Sequence, residues 1–319
     1  MVPDRETATT KGNGVPAGVG SDMRPYDTGA VERQPSPPAD RPERVIAVTV
    51  TYRRPELLLP LIQAVRGQTR PPDGYLVVDN GGDAAVPDDA RGLVEVLRPG
   101  ENLGPAGGYA LGFERALAAG ASRVWVLDDD VVPDPSCLAR LLGSDADVVL
   151  PGQRRTAGSQ AWLPWVGGLY RSGTVASAGP PRADYFFGSE DYEFLRRLRG
   201  AGARIERVSE YLITHAHPMR RSRGQPRSWR LYYEIRNTLH YRLGGKPRPL
   251  RVRLRAYSML AKTAGAIIAF EPSKRRSLAL LARGVRDYRS GRMGRTVDPA
   301  AWEAAAGPVQ VREPRGADG

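Results

Sequence analysis

Three adjacent aspartates, Asp128, Asp129 and Asp130, follow the apolar run at residues 124–127. The run predicts a strand buried on both faces, which places the carboxylates where the strand ends. Neighbouring carboxylates repel one another unless water or a cation lies among them. Alternate side chains of an extended segment point the same way, so Asp128 and Asp130 would face one ion together. An ordinary acidic turn explains the triplet equally well at this point.

A second acidic pair, Glu190 and Asp191, begins a predicted helix that ends near Gly200 or Gly202. Carboxylates in a first turn are favoured by the helix dipole, so simple capping is one interpretation. A general base at the edge of a cleft is the other.

Two of the three histidines, His215 and His217, follow a strand predicted at residues 204–208. A single histidine is more often structural than a ligand. Because the chain also has an unpaired carboxylate cluster, we favour one of the two as a metal ligand. The sequence does not decide between them.

Alternating strands and helices must position these residues. Strands are predicted at residues 44–51, 75–78 and 94–97, helices between them, and the strand before the aspartates follows. This order predicts an α/β fold with a mostly parallel sheet covered on both faces. Ligands bind at the carboxyl ends of such strands. The polar residues predicted there are Thr51, Tyr52, Arg53, Asp79, Asn80 and the aspartate triplet.

A glycine-rich segment at residues 102–108 precedes another predicted helix and contains Asn102, Gly107 and Gly108. Its backbone N–H groups would be able to approach a phosphate or a sugar. The segment lacks the spacing of both a P-loop and a dinucleotide fingerprint, so it is a weak signal alone.

Aromatic and polar side chains later in the chain complete the candidate set. Trp165 lies beside glycines and would serve as a platform for a sugar ring, although buried aromatic packing ranks first. Tyr233, Arg236 and Asn237 share about one and a half turns of a predicted helix and are counted among the substrate-binding candidates.

Composition limits the classes of protein to which the chain can belong. Its 319 residues carry a formal net charge of +12, which favours phosphate-bearing partners. A single cysteine excludes an internal disulfide and a cysteine-rich zinc site, and it suits a reducing cytosol. We find no signal peptide and no membrane span. The predicted regions are a disordered leader at 1–43, a catalytic domain at 44–245, a basic helical extension at 246–297 and a tail at 298–319.

The helical extension has apolar residues on one side and arginines on the other. Basic amphipathic helices lie on anionic membrane surfaces. A helix that packs on the catalytic domain and leaves a solvated basic face is the alternative, and we place the membrane slightly ahead.

Four motifs together resemble the family-two glycosyltransferases with a GT-A fold, in the bacterial galactofuranosyl- and rhamnosyl-transferase branch. They are VTVTYRRP, VVDN followed by NLGPAGG, LDDDVVP, and EDYEFLRRLRGAG followed by THAHP and YYEIRN. The resemblance runs from about Arg44 to Arg295. In that branch an aromatic residue stands just before the acidic pair, whereas this chain has Phe187, Gly188 and Ser189, so the donor sugar is left open.

The resemblance also implies roles for individual residues. Asp128 and Asp130 match the element that holds a divalent cation, Mg²⁺ or Mn²⁺, between the two phosphates of a sugar nucleotide, and His215 matches a third ligand. Asp191 matches the catalytic base. Positions that match the nucleoside site are Thr51, Tyr52, Arg53 and Asp79, and those beside the donor are Asn102, Gly107 and Gly108.

We therefore expect a metal-dependent inverting enzyme that moves galactofuranose, rhamnose or a similar sugar from a UDP- or dTDP-linked donor. The acceptor would be a hydroxyl of a glycan, a glycolipid or a secondary metabolite. The enzyme would be cytoplasmic, with peripheral attachment to the inner face of the plasma membrane left open. The alternatives are a sugar-phosphate nucleotidyltransferase and a basic nucleic-acid-binding protein. No nucleic-acid-binding signature supports the latter.

Overall fold

The computed structural model describes residues 43–154, 160–161, 164–215, 228–245 and 247–304. The strands are β1 (Val45–Thr51), β2 (Gly74–Asp79), β3 (Val94–Leu97), β4 (Arg123–Asp128), β5 (Val131–Pro133), β6 (Val148–Arg154), β7 (Gln160–Ala161), β8 (Gly168–Arg171) and β9 (Ile205–His215). The helices are α1 (Pro55–Arg66), α2 (Gly104–Ala118), α3 (Cys137–Leu142), α4 (Ser172–Ala178), α5 (Glu190–Gly200), α6 (Arg230–Leu243), α7 (Leu250–Phe270), α8 (Lys274–Arg289) and α9 (Pro299–Ala304).

One nine-stranded sheet runs in the order β3-β2-β1-β4-β8-β6-β9-β5, with β7 beside β6. The pairings among β3, β2, β1 and β4 are parallel, as the alternation of strands and helices predicts. The second half of the sheet is mixed, because β8 runs antiparallel to both β4 and β6. The predicted parallel arrangement therefore describes the half that carries the aspartates, and the full sheet is mixed.

Helices cover both faces of the sheet, as expected from strands that are apolar on both sides. The helices α1 and α3 pack against one face, through residues such as Leu61 and Leu138. On the other face α2 and α5 pack through Phe113 and Phe194, whose rings meet edge to face with centroids 5.4 Å apart. Because helices pack on both faces of the sheet, the N-terminal ends of α2 and α5 have fixed positions relative to the strand ends.

The helices α6, α7 and α8 build a separate apolar cluster beyond the sheet. Ile235 of α6, Ile267 of α7 and Leu280 of α8 are buried in it. The helical extension predicted from the sequence is therefore present, and α6 packs with it. Within the described ranges, no helix is both long enough and apolar enough to cross a bilayer. Residues 1–42 of the predicted leader and 305–319 of the predicted tail lie outside those ranges, and α9 lies within the part of the tail that is described.

Candidate active site

The strand ends meet at one edge of the sheet. In the parallel register, Thr51 pairs with Asp79 across β1 and β2, and Val50 pairs with Asp128 across β1 and β4. The backbone N–H of Asn80 donates to the Thr51 carbonyl at 3.0 Å. Three strands therefore bring their polar residues to a common edge, as their positions in the sequence predict.

The three aspartates have different surroundings. Asp128 accepts a hydrogen bond at 2.7 Å from the hydroxyl of Tyr109. Asp129 accepts hydrogen bonds from the Thr51 hydroxyl at 3.0 Å and from Arg54 at 3.2 Å. Asp129 therefore fastens β4 to β1, and its oxygens are already engaged.

Burial and mutual repulsion act on the same carboxylates. Burial raises the pKa of Asp128 to about 7, and the charges of Asp130 and Asp129 contribute to the rise. Burial also raises the pKa of Asp129, although Arg54 opposes that shift. The pKa of Asp130 is lowered because the His215 imidazole lies beside it. A cation placed among these carboxylates would offset both the cost of burying their charge and their mutual repulsion.

Strand β9 places His215 beside the triplet. The strand extends to His215, further than the sequence predicts, and pairs antiparallel with β5 so that His215 stands opposite Val131. As a result His215 Nδ1 lies 3.8 Å from Asp130 Oδ1. His217 lies outside the described residues, so the structure describes only one of the two predicted candidates.

The donor set partly fits the predicted Mg²⁺ or Mn²⁺. Asp130 and His215 face each other, whereas Asp128 points at Tyr109. Among the described residues, no three acidic, histidine or cysteine side chains form a ready-made metal cluster. Magnesium is commonly held by one or two carboxylates together with phosphates of the substrate, so a site completed by a diphosphate is consistent with this pair.

The predicted nucleoside-binding residues divide into exposed and structural ones. Tyr52 is 41% exposed, and the Arg53 guanidinium lies 5.2 Å from its ring centroid. Arg53 adopts a left-handed backbone conformation with φ 54°, which is uncommon for a residue with a side chain. Asp79 is buried, and its carboxylate accepts from the backbone N–H groups of residues 81, 82 and 84. Tyr52 and Arg53 thus remain open to a ligand, whereas Asp79 shapes the turn after β2.

The glycine-rich segment is largely helix. The sequence predicts that all of it precedes the helix, but α2 begins at Gly104, so Gly107 and Gly108 lie within it. A Cβ on Gly108 would stand 2.5 Å from Val50 of β1, and one on Gly107 would stand 2.7 Å from Leu103. These two glycines therefore allow close packing within α2 and of α2 against β1.

Asn80 ties the N-terminal end of α2 to the sheet edge, and Asn102 fixes the first turn of that helix. Asn80 accepts from the backbone N–H of Leu103 at 3.1 Å and donates to the Gly104 carbonyl at 3.1 Å. Asn102 accepts from the backbone N–H of Gly104 at 2.8 Å. Both side chains therefore fix the segment that would lie beside a donor.

The acidic pair lies at the start of α5. Burial raises the pKa of Glu190, and the neighbouring charge of Asp191 raises it further. Burial also raises the pKa of Asp191, against the effect of the backbone N–H groups of the first turn. Glu190 is 4% exposed, whereas Asp191 is partly exposed, so Asp191 is the carboxylate that solvent or a ligand reaches.

Trp165 packs beside this pair and is 5% exposed. Its ring stacks on Tyr109 with a centroid distance of 4.8 Å, which agrees with the packing interpretation. Within the described part of the chain, neither its indole nitrogen nor Glu190 Oε2 has a hydrogen-bond partner. The indole nevertheless lowers the pKa of Glu190, so the two groups lie near each other.

The segment before the acidic pair has an unusual backbone. Phe186 and Ser189 have φ values of 61° and 66°, and Gly188 between them has 78°. Left-handed conformations cost free energy in residues with side chains and persist where the surroundings enforce them. The turn therefore needs support, and α6 provides it.

Asn237 and Arg236 of α6 supply that support. The Asn237 amide donates to the carbonyls of Tyr185, Phe187 and Gly188 at 3.0, 2.8 and 2.9 Å. Arg236 donates to the Tyr185 carbonyl at 2.9 Å and to Asn237 Oδ1 at 2.9 Å. Both side chains are fully buried. We therefore interpret these two residues as positioning residues for the acidic pair.

Tyr233, the third candidate on α6, is also fully buried. Its hydroxyl donates to the Val297 carbonyl at 2.7 Å, and its ring lies 5.0 Å from that of Phe186. It holds the same turn from its apolar side.

Two residues at the site were missed by sequence reasoning. The Tyr109 hydroxyl reaches Asp128, and Arg54 reaches Asp129. The double arginine after β1 was a signal for Arg54, because a basic residue at a strand end beside acidic ones is available for pairing. Nothing in the sequence marked Tyr109, which reads as an ordinary residue of an apolar helix face.

The family model for glycosyl transferase family 2 matches residues 46–174. The galactofuranosyltransferase GlfT1 of Mycobacterium tuberculosis H37Rv is 36% identical over a 200-position alignment that covers 50% of this chain and 66% of the relative. GlfT1 of Mycolicibacterium smegmatis is 35% identical over 201 positions, with 50% of this chain and 67% of the relative covered. The chain thus spans about two thirds of the length of these relatives.

Among solved structures, residues 1–349 of Staphylococcus aureus TarS superpose with a TM-score of 0.53 at 14% identity, covering 77% of this chain and 80% of that one. The same fragment in complex with UDP gives a TM-score of 0.50, with 78% and 83% covered. At this identity the likeness concerns the fold, which is the GT-A fold.

Proposed function

Because the chain belongs to glycosyltransferase family 2, we propose that it transfers a sugar from a UDP- or dTDP-linked donor to a hydroxyl of a glycan, a glycolipid or a secondary metabolite. Galactofuranose is the first candidate for the sugar, since the GlfT1 relatives are named galactofuranosyltransferases, and rhamnose is the second. We also propose that the enzyme is cytoplasmic and works at the inner face of the membrane.

One observation carries the proposal. The carboxylates at the end of β4 and at the start of α5 lie around the same buried tyrosine: both Asp128 and Glu190 raise the pKa of Tyr109, after burial itself. Trp165 stacks on Tyr109 and lies near Glu190. A cation-favouring donor end and a base-bearing acceptor end therefore share one site.

The acceptor end would work through Asp191. Its partly exposed carboxylate takes the proton of the acceptor hydroxyl while the oxygen attacks the anomeric carbon and the bond to the diphosphate oxygen breaks. General base catalysis of this kind contributes roughly 100- to 10,000-fold in rate. Among the described residues, the carboxylate next to this base, Glu190, is buried and so is not placed as a nucleophile. The displacement is therefore direct and inverts the anomeric centre.

The donor end would bind the nucleotide through Tyr52, Arg53 and the strand ends. Asp130 and His215 are the residues that would hold Mg²⁺ or Mn²⁺, with Asp128 nearby. When bound, such a cation offsets the negative charge that develops on the leaving nucleoside diphosphate. The hydrogen bond from the Thr51 hydroxyl holds Asp129 in place, which keeps the neighbouring carboxylates of Asp128 and Asp130 in position.

Replacing the base tests the proposal. We expect Asp191→Asn to lower the transfer rate at least about 100-fold while donor binding stays within a few-fold, because the amide cannot accept the proton. Transfer is measured with a panel of UDP- and dTDP-sugars, and donor binding is measured by thermal shift, since a ligand of the folded state raises its stability. Near-normal transfer by the variant would remove Asp191 from the mechanism.

The metal assignment is tested separately. Asp130→Ala and His215→Ala should each abolish the extra thermal stabilisation that Mn²⁺ adds in the presence of UDP. Glu210→Ala is the matched control, because Glu210 also lies on β9 but pairs with the exposed Arg140. A Mn²⁺ effect of equal size in all three variants contradicts the site.

A further inference from the structure

Helix α7 carries a concentration of exposed apolar side chains. Leu250, Leu254, Tyr257, Ile268 and Phe270 are 66%, 57%, 51%, 56% and 81% exposed. They make up five of the nine large hydrophobic residues that are exposed in the described part of the chain. Only Ala256 and Ile267 of this 21-residue helix are buried. A surface helix with an apolar face open to water lacks the partner that such a face normally has.

The exposed apolar residues form a stripe along the helix. At about 100° per residue, Leu250, Leu254, Tyr257 and Ile268 fall within about 60° of one another. We call these four residues the α7 stripe. Phe270 lies off the stripe at the C-terminal end of the helix. Because the helix has 21 residues, the stripe runs for roughly 30 Å along one side of the molecule.

Basic residues flank the stripe on both sides. Arg251, Arg255 and Lys262 fall on one side of it and Arg253 on the other, all exposed. Between residues 250 and 290 the chain has ten basic and two acidic residues, which accounts for eight of its twelve net positive charges. An apolar stripe between rows of cations is complementary to a surface with acyl chains below anionic headgroups.

We propose that α7 is a docking surface that lies in the plane of an anionic lipid bilayer, with the α7 stripe in the acyl boundary and the flanking arginines at the headgroup phosphates. This inference rests on the proposed function, which places the acceptor at the membrane, and adds how the enzyme reaches it. A second copy of the chain is a poorer occupant, because a two-fold pairing of the stripe would bring like-charged arginines together.

Vesicle sedimentation of the full chain tests the docking surface. We expect the protein to bind vesicles of phosphatidylcholine with phosphatidylglycerol, to bind pure phosphatidylcholine at least tenfold more weakly, and to lose binding as salt is raised. The assay contains neither donor nor acceptor, so its outcome is independent of sugar transfer. Failure of the docking surface and failure of the proposed function are therefore distinguishable.

Matched variants separate the two components. Leu254→Asp with Ile268→Asp should abolish binding to the anionic vesicles, whereas Leu59→Asp, at a leucine 42% exposed on α1, should leave it unchanged. Arg251→Gln with Arg255→Gln should weaken binding about fivefold per residue. Arg91→Gln with Arg140→Gln removes the same charge elsewhere and should have little effect. All of these side chains are at least partly exposed, and unchanged thermal unfolding without vesicles confirms intact folding.

Three results would overturn the proposal. The first is equal binding to neutral and anionic vesicles, and the second is full binding by the stripe variant. The third is that the unchanged chain does not bind vesicles and the stripe variant differs from it in oligomeric state. The last would assign the stripe to a protein partner. UDP binding by the stripe variant should match that of the unchanged chain.

Discussion

At the scale of single residues, the site contrasts two carboxylates that are adjacent in sequence. Glu190 is buried beside Trp165, whereas Asp191 is partly exposed. Burial and the charge of Asp191 raise the pKa of Glu190 to about 8, whereas burial raises the pKa of Asp191 to about 6. Asp191 therefore ionises while Glu190 is still protonated. Asp191 acts as the base only when it is ionised. The rate should therefore fall as the pH falls through a pKa above the ordinary aspartate range.

Replacing the neighbouring carboxyl should leave that acidic limb in place. Because Glu190 is still protonated at the pH where Asp191 ionises, we expect Glu190→Gln to leave the pKa of Asp191, and with it the acidic limb of kcat/KM, close to its original position. The measurement is the pH profile of kcat/KM for both proteins with one donor. A limb that shifts to lower pH in the variant would show that a charge on Glu190 raises the pKa of the base.

Several residue positions followed from the sequence and others did not. The aspartate triplet at a strand end was predictable because a buried strand has a recognisable apolar run. The hydrogen bond from Tyr109 to Asp128 was not, because it depends on how α2 rotates above the sheet. That rotation is set by glycine contacts with β1, such as that of Gly108 with Val50, which only the packed structure displays.

At the scale of elements, α6 connects the C-terminal helices to the catalytic edge. One face of α6 packs against α8, and Asn237 on α6 holds three carbonyls of the turn before Asp191. The sequence predicted the helix but assigned its polar residues to substrate. The sequence does not distinguish a buried asparagine from a ligand-binding one, because both occur next to aromatic residues.

Removing the side-chain amide of Asn237 should displace the Asp191 carboxylate. Asn237→Ala leaves three buried carbonyls without their donor, which costs about 1–3 kcal/mol in the free energy of unfolding. We expect kcat to fall at least tenfold at temperatures where the variant is fully folded, with the KM for the donor little changed. Chemical denaturation and steady-state kinetics measure the two effects.

Gln68→Ala is the matched control for this variant. Gln68 is also buried and makes three hydrogen bonds, to Ala64, Asp134 and Leu138, on the opposite face of the sheet. It should lose comparable stability and keep its kcat. An equal loss of kcat in both variants would make the effect of Asn237 one of general stability.

At the scale of the whole molecule, the helical cluster depends on an acidic residue at its centre. Asp287 of α8 is 2% exposed and accepts from the Tyr232 hydroxyl of α6 at 2.8 Å. Burial alone would raise its pKa, but the hydrogen bonds from Tyr232 and Arg286 and the charge of Arg283 lower it overall. A carboxyl whose pKa is lowered by folding stabilises the folded state above its unfolded pKa and loses this contribution as the pH falls through its folded pKa.

Asp287→Asn should therefore destabilise the protein at neutral pH by about 1–3 kcal/mol, through the weakened hydrogen bonds to charged groups. The difference from the unchanged chain should shrink below about pH 4, where the aspartate itself becomes protonated. Urea unfolding at a series of pH values measures it. A difference that stays constant down to pH 3 would show that the charge of Asp287 contributes nothing.

The overall architecture was the most predictable level. Local periodicity specifies strands and helices, and the parallel half of the sheet follows from their alternation. The mixed half of the sheet was not predictable in the same way, because the pairing of β9 with β5 joins segments about 80 residues apart without a local signal. The same pairing determined that His215 ends a strand rather than following one.

This pairing has a consequence for the order in which the protein is made. The aspartates are synthesised early, together with the four parallel strands that surround them. Asp130 has no imidazole beside it until β9 has been synthesised and has joined β5, and the turn before Asp191 lacks its support until Asn237 has emerged. The catalytic centre is therefore completed only after both β9 and α6 have been synthesised, later than the sheet edge that carries the aspartates.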